Sequence, residues 1–443
     1  MPHPRVRLVV LNYNGGEHVV CCVEHLERLD WPADRLEIVV VDNASSDGSD
    51  LALEARPRIR LIRSDRNRGF PANNLALRDL GGLDFVGLVN NDAFVEPGYL
   101  QPLVAALEAD ADVGAACPKI LLASQFLDLV VSGPTHQVPP DRRDLGVRIS
   151  GLEVEGEDRW RRAVFSRGAY HAEAGPPREP EFRWLADRAE VGVPVTAGPA
   201  VARVRLASDR SLKVELDGGA GPIPAEVAGA PRWHDVVLTG APYDVINNAG
   251  SVLVNGSWGA DRGFLERDDG QYDEPQDVFA WCGAGVLLRP RYVEDVGLLD
   301  ERFFLYYEDT DMAWRGQARG WRYRYVPTAV MRHLHAATSV EGSPLFQHFT
   351  ERNRLLMLTK NAPPQLAARA AARFLLSTAS YAARDVLRPV ARGRRPHPAL
   401  VAARLRSFGA YVRLLPQVLP DRRRLRARQS VHDEAITGWS VNR

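Results

Sequence analysis

Short apolar runs alternate with helix-like segments over residues 5–120. The apolar runs are β-branched and bounded by polar turns, as is typical of buried strands, and they cover 6–11, 38–41, 59–62 and 85–89. The helix-like segments lie between and after them, near 17–29, 47–55, 72–80 and 98–109. This alternation predicts a parallel sheet covered on both faces, in which a ligand binds at the carboxyl ends of the strands.

The pattern changes after residue 130. Pro and Gly are frequent over 130–245, and the runs 201–206 and 212–216 alternate apolar and polar residues, which predicts antiparallel strands in an inserted β-rich module resembling a small sandwich. The α/β pattern resumes by about residue 279, and 345–430 are helical and rich in Ala, Leu and Arg. The sequence therefore predicts four parts: an α/β half at 1–129, the β-rich module at 130–245, a second α/β half at 246–345 and a helical, basic tail at 346–443.

Composition narrows the functional classes. The 443 residues carry a formal net charge of zero, so overall charge does not argue for nucleic-acid binding. The four cysteines form no CxxC pair, which argues against a disulfide framework or a zinc site and favours a reducing cytoplasm. No long apolar run follows Met1, so we expect no signal peptide, and none reaches the roughly 18 residues of a membrane span.

Many arginines follow residue 384 in the C-terminal tail. Such a run is usually a solvated helix face or a disordered end. The alternative is a peripheral contact with anionic lipid, because apolar side chains accompany the arginines: Phe374, Leu375, Tyr381, Leu387, Phe408, Tyr411 and Leu414. If the protein works at a membrane, we expect it to do so from the inner surface.

Polar motifs follow three of the predicted strands, and the first begins at Asn12. Asp42 ends the second strand, where its carboxylate can accept hydrogen bonds from a nucleobase or a ribose, and it lies too far before the next helix to cap it. Asn90 and Asp92 follow the fourth strand. Mg²⁺ or Mn²⁺ takes one or two protein oxygens and keeps places for substrate phosphates, so Asp92 suits a cation ligand, although polar turns after strands are common.

A further motif runs from Asn67 to Asn74. Gly69 permits an unusual backbone angle, and Asn74 falls in the first turn of the helix that follows. A helix N-terminus beside Arg68 suits a phosphate or a base. Asn and Gly are also ordinary loop residues, so this motif alone is weakly specific.

Small residues and acids form the strongest motif. Gly283, Ala284 and Gly285 would let a ligand approach the backbone closely, and aromatic residues then precede the acids Glu308, Asp309 and Asp311. A carboxylate near aromatic side chains can have a raised pKa and act as a general base. The same acids could simply begin a helix, where they favour the helix dipole.

Two histidines follow the strand-like residues 325–331. His333 and His335 have i, i+2 spacing, so on a strand they would point to one face and either could complete a cation site. Arg352 and Arg354 lie at a helix start, where they could bind a diphosphate or be ordinary surface charge.

In their order and spacing, these motifs resemble those of the family 2 glycosyltransferases, particularly the rhamnosyltransferase-like branch. The resemblance covers roughly 5–125 and 246–360, and it includes Asn90-Asn91-Asp92 and the block from Phe304 to Asp311. It implies a GT-A fold, with a nucleotide-binding half at 1–129 and an acceptor or catalytic half at 246–345, and an inverting transfer of a sugar.

The resemblance also implies roles for individual residues. Asp309, with Glu308 beside it, matches the catalytic base, and Asp42 matches the nucleobase contact. Asn90-x-Asp92 occupies the place of the family's Asp-x-Asp metal motif, so Asp92 is left as the chief ligand of Mg²⁺ or Mn²⁺. His333 is the best match to the late metal-binding histidine, with His335 its close competitor. The expected nucleotide-sugar site comprises Asn12, Asn14, Asp42, Asn43, Asn67, Gly69, Asn74, Asn91, Gly283, Ala284 and Gly285, with Asp311, Arg352 and Arg354 on the acceptor or diphosphate side.

The expected donor is a nucleotide-sugar, for which the resemblance suggests an activated deoxyhexose such as dTDP-rhamnose. The expected acceptor is a glycan or a polyprenyl-diphosphate-linked glycan of the cell envelope, and no nucleic-acid partner is expected. Two other functions stay open. A nucleotidyltransferase would need a cation soon after the first strand, which Asn12 to Gly16 do not supply, and a sugar-binding protein acting through 130–245 would not explain the carboxylates. The absence of a G-x-G-x-x-G motif argues against a dinucleotide oxidoreductase.

Overall fold

The structure is a computed structural model, and it describes residues 3–137, 141–175, 181–334 and 342–441. The strands are β1 (Val6–Asn12), β2 (Leu36–Asp42), β3 (Ile59–Arg63), β4 (Phe85–Asn90), β5 (Ala93–Val95), β6 (Val113–Leu122), β7 (Gln125–Ser132), β8 (Arg148–Val154), β9 (Glu157–Asp158), β10 (Val164–Ala169), β11 (Arg183–Val195), β12 (Ala200–Asp217), β13 (Ile223–Leu238), β14 (Ile246–Asn248), β15 (Ser251–Val254), β16 (Trp258–Asp261), β17 (Gln276–Val278), β18 (Gly285–Leu288), β19 (Arg322–His333) and β20 (Ser440–Val441).

The α-helices are α1 (Gly16–Glu27), α2 (Ser49–Glu54), α3 (Asn74–Leu77), α4 (Leu100–Glu108), α5 (Pro290–Val296), α6 (Glu308–Ala318), α7 (Pro344–Asn361), α8 (Pro364–Ala382), α9 (Arg388–Ala391), α10 (Ala399–Ala427) and α11 (Asp433–Thr437). Short 3₁₀ segments cover Ala33–Arg35, Phe70–Asn73 and Trp160–Arg162, and a π-helical turn covers Ala383–Leu387.

The chain divides into two compact units. The first comprises Met1–Leu121, Asn248–Gly263 and Gln271–Arg443, and the second comprises Leu122–Asn247 and Phe264–Gly270. The sequence had placed the β-rich module at 130–245, so the second unit begins earlier and gains a short separate segment.

A mixed sheet forms the centre of the first unit, in the order β17-β19-β6-β18-β4-β1-β2-β3. The predicted parallel strands are confirmed, because β4, β1, β2 and β3 pair in parallel. The later strands differ from that prediction: β18 runs antiparallel to both β4 and β6. The parallel register aligns Asn12 with Asp42 and Leu11 with Asn90, so the polar strand ends lie at one edge of the sheet.

The core of the first unit explains why its elements form. Strands β1 and β2 are buried along almost their whole length, as expected for strands covered on both faces. Helix α1 buries Val19, Cys22, Val23 and Leu26, whose three- and four-residue spacing puts them on one helical face. These side chains join the strand residues in one hydrophobic core.

The second unit contains a seven-stranded sheet in which β7, β11, β8 and β12 pair in a closed ring. Strand β12 pairs with β8 through Ala202–Ala207 and with β7 through Glu215–Asp217, and β11 also pairs with both β7 and β8. The two predicted runs, 201–206 and 212–216, are therefore one 18-residue strand. The expected sandwich is corrected, because register shifts in β12 let one long strand bend and pair with two neighbours, so the sheet is continuous.

The helical tail predicted at 345–430 is confirmed by α7 to α10. Ser343 caps α7 by accepting a hydrogen bond from the Phe346 amide at 3.2 Å, and Pro344 takes the first helical position. A separate three-stranded sheet joins β15 and β16 in antiparallel fashion and adds the C-terminal β20 in parallel to β15. No helix among the described residues is long and apolar enough to span a bilayer.

The candidate active site

Asp42 lies at the carboxyl end of β2 and is 4% exposed. Its Oδ1 accepts a hydrogen bond from Asn12 Nδ2 at 3.0 Å, and its Oδ2 accepts one from the Ser45 amide at 3.2 Å. Asn14 holds the same turn, because its Oδ1 accepts from the Ser46 amide at 2.7 Å. The structure thus brings Asn12, Asn14 and Asp42 together at the sheet edge, as expected.

Asn43 and Asn67 are also brought together. Asn43 Nδ2 donates to Asn67 Oδ1 at 2.9 Å, and Asn43 Oδ1 accepts from the Arg68 amide at 2.9 Å. Asn67 Oδ1 accepts a second hydrogen bond, from the Gly69 amide at 2.8 Å. Both side chains therefore shape the 67–69 loop against the end of β2.

Gly69 touches the loop that leads to Asp309. Its φ of 67° lies in the left-handed region, and a Cβ there would sit 1.8 Å from the Phe304 carbonyl oxygen. The next residue, Phe70, donates its amide to that same oxygen at 2.7 Å. Only glycine fits this contact, which joins the first α/β half to the acidic motif.

Asn74 does not fit the nucleotide-binding role expected from the sequence. Its Nδ2 donates to the Leu299 carbonyl at 2.8 Å, and its Oδ1 accepts from the Leu299 amide at 3.1 Å. The side chain is buried and both ends of its amide are engaged. The side-chain amide pairs with the backbone of Leu299 in the way that a neighbouring main chain would, and it holds that loop in place. This structural role replaces the nucleotide contact expected from the sequence.

Close packing explains why two positions of the Gly283–Ala284–Gly285 motif have no side chain. A Cβ on Gly283 would lie 2.8 Å from Phe70 Cζ, and a Cβ on Gly285 would lie 2.1 Å from Met331 Sδ. Ala284 is buried, and its carbonyl accepts the Asn90 amide at 3.0 Å. At Gly285 packing against Met331 already requires the lack of a side chain, so a close ligand contact is not needed to explain this glycine.

Asp92 directly precedes β5, and His333 ends β19, where it pairs with Ala93. His333 Nε2 lies 3.1 Å from Asp92 Oδ1, and both side chains are buried. Burial opposes ionisation of Asp92, but the hydrogen bond and charge of His333 outweigh it and lower the pKa of the carboxyl. Asn90 Nδ2 lies 3.4 Å from the same imidazole nitrogen.

His335, the competing candidate, lies outside the described residues. Within the described ranges, no cluster of three or more His, Cys, Asp or Glu side chains is arranged to hold a metal ion. Asn91, expected at the nucleotide-sugar, lies beside the first loop, since a Cβ on Gly15 would be 2.6 Å from its Nδ2.

Asp309 lies in the first turn of α6 and is partly buried. Its Oδ2 accepts a hydrogen bond from the Gly283 amide at 3.0 Å, and its Oδ1 accepts from the Thr310 amide at 2.5 Å and the Thr310 hydroxyl at 3.0 Å. Burial raises the pKa of Asp309, and these hydrogen bonds hold part of that increase back. The carboxylate is therefore both fixed in orientation and more basic than an ordinary aspartate.

Glu308 is more deeply buried than Asp309. Burial, together with the neighbouring charge of Asp309, raises the pKa of Glu308 well above its ordinary value. Its Oε2 is buried and has no hydrogen-bond partner among the described residues. A buried carboxyl without a hydrogen-bond partner for Oε2 is a poorer candidate for the base than Asp309, whose two oxygens are both oriented by donors.

The loop before α6 has an unusual backbone. Phe304, Tyr306 and Tyr307 have φ values of 65°, 69° and 69°, which is uncommon for residues with a side chain. Asn353 stabilises the loop, because its Nδ2 lies 2.8 Å from each of the carbonyls of Phe303, Leu305 and Tyr306. The sequence analysis missed Asn353, although it lies between the two arginines singled out there.

Arg352 does not fit the diphosphate-binding role suggested by its position. Its Nη2 donates to the carbonyls of Arg302 and Phe303, both at 2.8 Å, and its Nε donates to Asn353 Oδ1 at 2.8 Å. Burial lowers the pKa of Arg352 to about 10. The guanidinium thus holds the same loop as Asn353, which corrects the expectation.

Asp311 is likewise structural. It is fully buried, and its Oδ2 pairs with Arg315 at 3.0 Å and with Lys360 at 2.8 Å. Its Oδ1 accepts from Asn361 at 2.8 Å. The carboxylate ties α6 to α7 with both of its oxygens engaged, which does not fit the acceptor-side role expected from the sequence. Arg354, the other arginine, stacks on Trp258 with 3.9 Å between its guanidinium carbon and the ring centroid.

Two family models match this chain. Glycosyl transferase family 2 matches residues 8–127, and Glycosyl transferase family group 2 matches residues 242–371. Together these segments span more than half of the 443 residues and contain the polar ends of β1, β2 and β4 and the acids of α6. The chain belongs to glycosyltransferase family 2. Its mixed α/β sheet is the GT-A sheet expected for that family.

Curated relatives agree in kind with this assignment. The glycosyltransferase GlyG of Streptococcus pneumoniae is 29% identical over 114 residues, which cover 24% of this chain and 37% of that protein. The succinoglycan biosynthesis protein ExoO of Rhizobium meliloti is 32% identical over 109 residues, covering 24% of this chain and 30% of that protein. The chain therefore spans about a third of the length of these relatives.

Two similar structures were solved with nucleotides and Mn²⁺. GalNAc-T7 with UDP and GalNAc is 13% identical, with a TM-score of 0.42, covering 81% of this chain and 48% of that chain. The mannosyltransferase PcManGT of Pyrobaculum calidifontis with GDP-mannose is 16% identical, with a TM-score of 0.40, covering 93% of this chain and 87% of that chain.

Proposed function

We propose that this family 2 protein is an inverting glycosyltransferase, which moves a sugar from a nucleotide-sugar to a hydroxyl group of a glycan or lipid-linked acceptor. The observation that carries the proposal is Asp309. Its carboxylate is held by Gly283 and Thr310, has a raised pKa, and follows a loop that touches Gly69 at the edge of the sheet. That arrangement suits a general base beside a nucleotide site.

The chemical step requires one base. Asp309 Oδ2 accepts one hydrogen bond from the described residues, so it retains a lone pair for the acceptor hydroxyl. As that proton moves to Asp309, the acceptor oxygen bonds to the anomeric carbon. The bond from that carbon to the phosphate oxygen breaks, and the nucleoside diphosphate leaves with the electron pair. Attack from the face opposite the leaving group inverts the anomeric centre.

Asp92 and His333 would hold the divalent cation. They would supply one carboxylate oxygen and one imidazole nitrogen, from Asp92 Oδ1 and His333 Nε2, which lie 3.1 Å apart. With these two protein ligands, such a cation keeps places for the donor phosphates. When bound, Mg²⁺ or Mn²⁺ would neutralise the charge that develops on the diphosphate. Asp42 and Asn12 would contact the nucleoside.

Two isosteric substitutions test the base. Asp309→Asn should lower transfer about a hundredfold to ten-thousandfold, the usual contribution of a general base, while nucleotide binding is retained. Glu308→Gln is the matched control, because burial raises the pKa of Glu308 and its Oε2 has no hydrogen-bond partner among the described residues, so the neutral amide should keep most of the activity. Near-normal turnover of Asp309→Asn would refute the assignment, and loss of turnover only in Glu308→Gln would move the role to its neighbour.

For the donor we propose an activated deoxyhexose such as dTDP-rhamnose, on the resemblance of the sequence motifs alone. A panel of nucleotide-sugars, with and without Mn²⁺, should identify it through ligand-dependent thermal stabilisation. The product distinguishes the rival reaction: a glycosyltransferase releases a nucleoside diphosphate, whereas a nucleotidyltransferase releases pyrophosphate.

We also propose that α10 contacts an anionic membrane, where a lipid-linked acceptor would be found. Leu405, Val412 and Leu419 are exposed at seven-residue spacing, so they lie along one side of the helix. Exposed arginines accompany them: Arg406, Arg413, Arg423 and Arg424. Apolar side chains interleaved with arginine are typical of helices that lie in the surface of an anionic bilayer.

Vesicle flotation tests this contact. The protein should float with vesicles containing phosphatidylglycerol and not with phosphatidylcholine alone. Serine at 405, 412 and 419 together should abolish flotation. The matched control places serine at three exposed apolar positions of the second unit, Val201, Ile223 and Val237, and should float normally. Equal flotation of both triple variants would exclude α10 as the membrane contact.

A further inference from the structure

The segment 430–441 follows α10 and holds on to α6, the helix that carries the proposed base. At its start, the amides of Ser430 and Val431 donate to the carbonyl of Ala318, the last residue of α6, at 2.8 and 3.3 Å. Helix α11 then lies against α6, and its Ile436 is 1% exposed. The segment is therefore anchored on α6 by backbone hydrogen bonds and by a buried apolar side chain.

The same segment continues into β20, which completes the three-stranded sheet beside β15. Asn255 and Gly256 lie in the turn between β15 and β16, with φ values of 47° and 68°. Strand β20 holds the amides of both turn residues, because Asn255 donates to the Val441 carbonyl at 2.9 Å. Gly256 donates to Ser440 Oγ at 2.6 Å. The turn that shapes the β15–β16 hairpin is thus fixed from outside the hairpin.

Strand β16 packs against the first turn of α6. A Cβ on Gly259 would lie 3.3 Å from Tyr307 Cε1 and 3.4 Å from Thr310 Oγ1. The Gly259 amide also hydrogen-bonds the Tyr307 hydroxyl. Thr310 Oγ1 in turn donates to Asp309 Oδ1 at 3.0 Å. One donor to the proposed base is therefore in contact with this strand of the hairpin.

Strand β15 supports the other donor to the base. Ser251 exchanges two backbone hydrogen bonds with Ala280, at 2.9 and 3.2 Å. Gly283 follows Ala280 by three positions, and its amide donates to Asp309 Oδ2 at 3.0 Å. Because β16 pairs with β15 along its whole length on one edge, Ala280 and β20 share the other edge. The hairpin thus supports both segments that orient the carboxylate.

We propose that β20 is a positioning strand, which fixes the turn of the β15–β16 hairpin and so keeps the carboxylate of Asp309 aligned with the reacting hydroxyl. This inference rests on the proposed glycosyltransferase function and makes Ser440 and Val441 positioning residues for its base. The strand acts through the hairpin, so it affects the rate of the chemical step and leaves substrate binding unchanged. A displacement of about 1 Å at a reacting group can lower a rate about a hundredfold, so the effect is measurable.

Two truncations of the full-length protein test this role. A chain that stops after Trp439 lacks β20, whereas a chain that stops after Val441 keeps it and is the matched control. The rate is expressed per nucleotide-binding site, counted by titration with the nucleoside diphosphate that the reaction releases. A protein that is merely less stable loses sites but keeps its rate per site. Truncation after Trp439 should lower kcat per site by about tenfold to a hundredfold, with both KM values changed less than about twofold. The control should match wild type.

A pair of point substitutions tests the same contact in a chain of full length. Ser440→Ala removes the hydroxyl that accepts the Gly256 amide, and it should lower kcat per site by about threefold, as expected for one neutral hydrogen bond. Ser440→Thr keeps a hydroxyl and should match wild type. If the chain without β20 does not fold, this pair decides.

Three results would overturn the positioning role. They are an unchanged kcat per site in a folded chain without β20, an equal loss in the chain that stops after Val441, and an equal loss in Ser440→Ala and Ser440→Thr. Failure of the wild-type protein to transfer sugar from any nucleotide-sugar would instead refute the proposed function itself.

Discussion

Replacing Thr310 by valine should make Asp309 harder to ionise and move the acidic limb of the pH–rate profile to higher pH. Thr310 donates two hydrogen bonds to Asp309 Oδ1, one from its amide at 2.5 Å and one from its hydroxyl at 3.0 Å. Valine has nearly the same shape and keeps the amide bond, so the substitution removes the hydroxyl donor alone. Since Thr310 is buried, water has little access to replace that donor.

The magnitude follows from the value of one hydrogen bond to a charged group. Such a bond contributes about 1.5–3 kcal/mol, and one pKa unit corresponds to about 1.4 kcal/mol. Asp309 keeps two other hydrogen bonds, from the amides of Gly283 and Thr310, so the lower end applies and the shift should be about one unit upward. A base must be ionised, so activity is lost as pH falls through its pKa. A raised pKa therefore moves the loss to higher pH.

The assay is kcat/KM for the acceptor, measured from acidic to neutral pH. As pH falls, wild type should lose activity at a higher pH than the one at which an ordinary aspartate titrates, because burial raises the pKa of Asp309. Thr310→Val should shift that limb upward, and Thr310→Ser, which keeps a hydroxyl, should overlay wild type. If Thr310→Val is folded and its acidic limb coincides with wild type, then Asp309 is not the titrating base.

Three other substitutions have defined outcomes. Gly69→Ala should abolish transfer, because its Cβ would overlap the Phe304 carbonyl at 1.8 Å and displace the loop before α6; normal turnover in this variant would show that the loop contact is dispensable. Asp311→Ala should lower the free energy of unfolding by about 3–5 kcal/mol, since it leaves buried Arg315 without its carboxylate partner and Lys360 with Asp300 alone; a loss under about 1 kcal/mol in urea denaturation would contradict that estimate. His333→Ala should remove the thermal stabilisation by Mn²⁺ in the presence of donor while keeping the stabilisation by nucleotide alone; unchanged Mn²⁺ stabilisation would exclude His333 as a ligand.

The sheet edge illustrates what could be predicted from the sequence. Asp42 and Asp92 each follow an apolar run that predicts a buried strand. Because parallel strands end at the same edge, strand prediction alone was enough to bring these carboxylates together. The aromatic and acidic block around Asp309 was predicted for the same site through its resemblance to a family motif, and the structure joins it to the sheet through Gly69 and Gly283.

The roles of single polar residues could not be predicted in this way. Asn74 is engaged by Leu299, which is 225 positions away, and Asp311 pairs with Lys360 from another helix. Nothing in the local sequence distinguishes an asparagine that binds a ligand from one that binds a distant backbone. The same limit applied to Arg352 and Asn353, whose partners are carbonyls of a loop about 50 positions earlier.

The sequence by itself determined the element types, the family and the position of the acids, because hydrophobic periodicity and short motifs are local properties of the chain. Tertiary structure alone decided which acid is available for chemistry. Asp309 is held by donors from Gly283 and Thr310, Glu308 is buried and its pKa is raised well above its ordinary value, and Asp311 is engaged by Arg315 and Lys360. The physical reason is that the basicity of a carboxylate depends on its burial and its partners, and these are set by residues far apart in the chain.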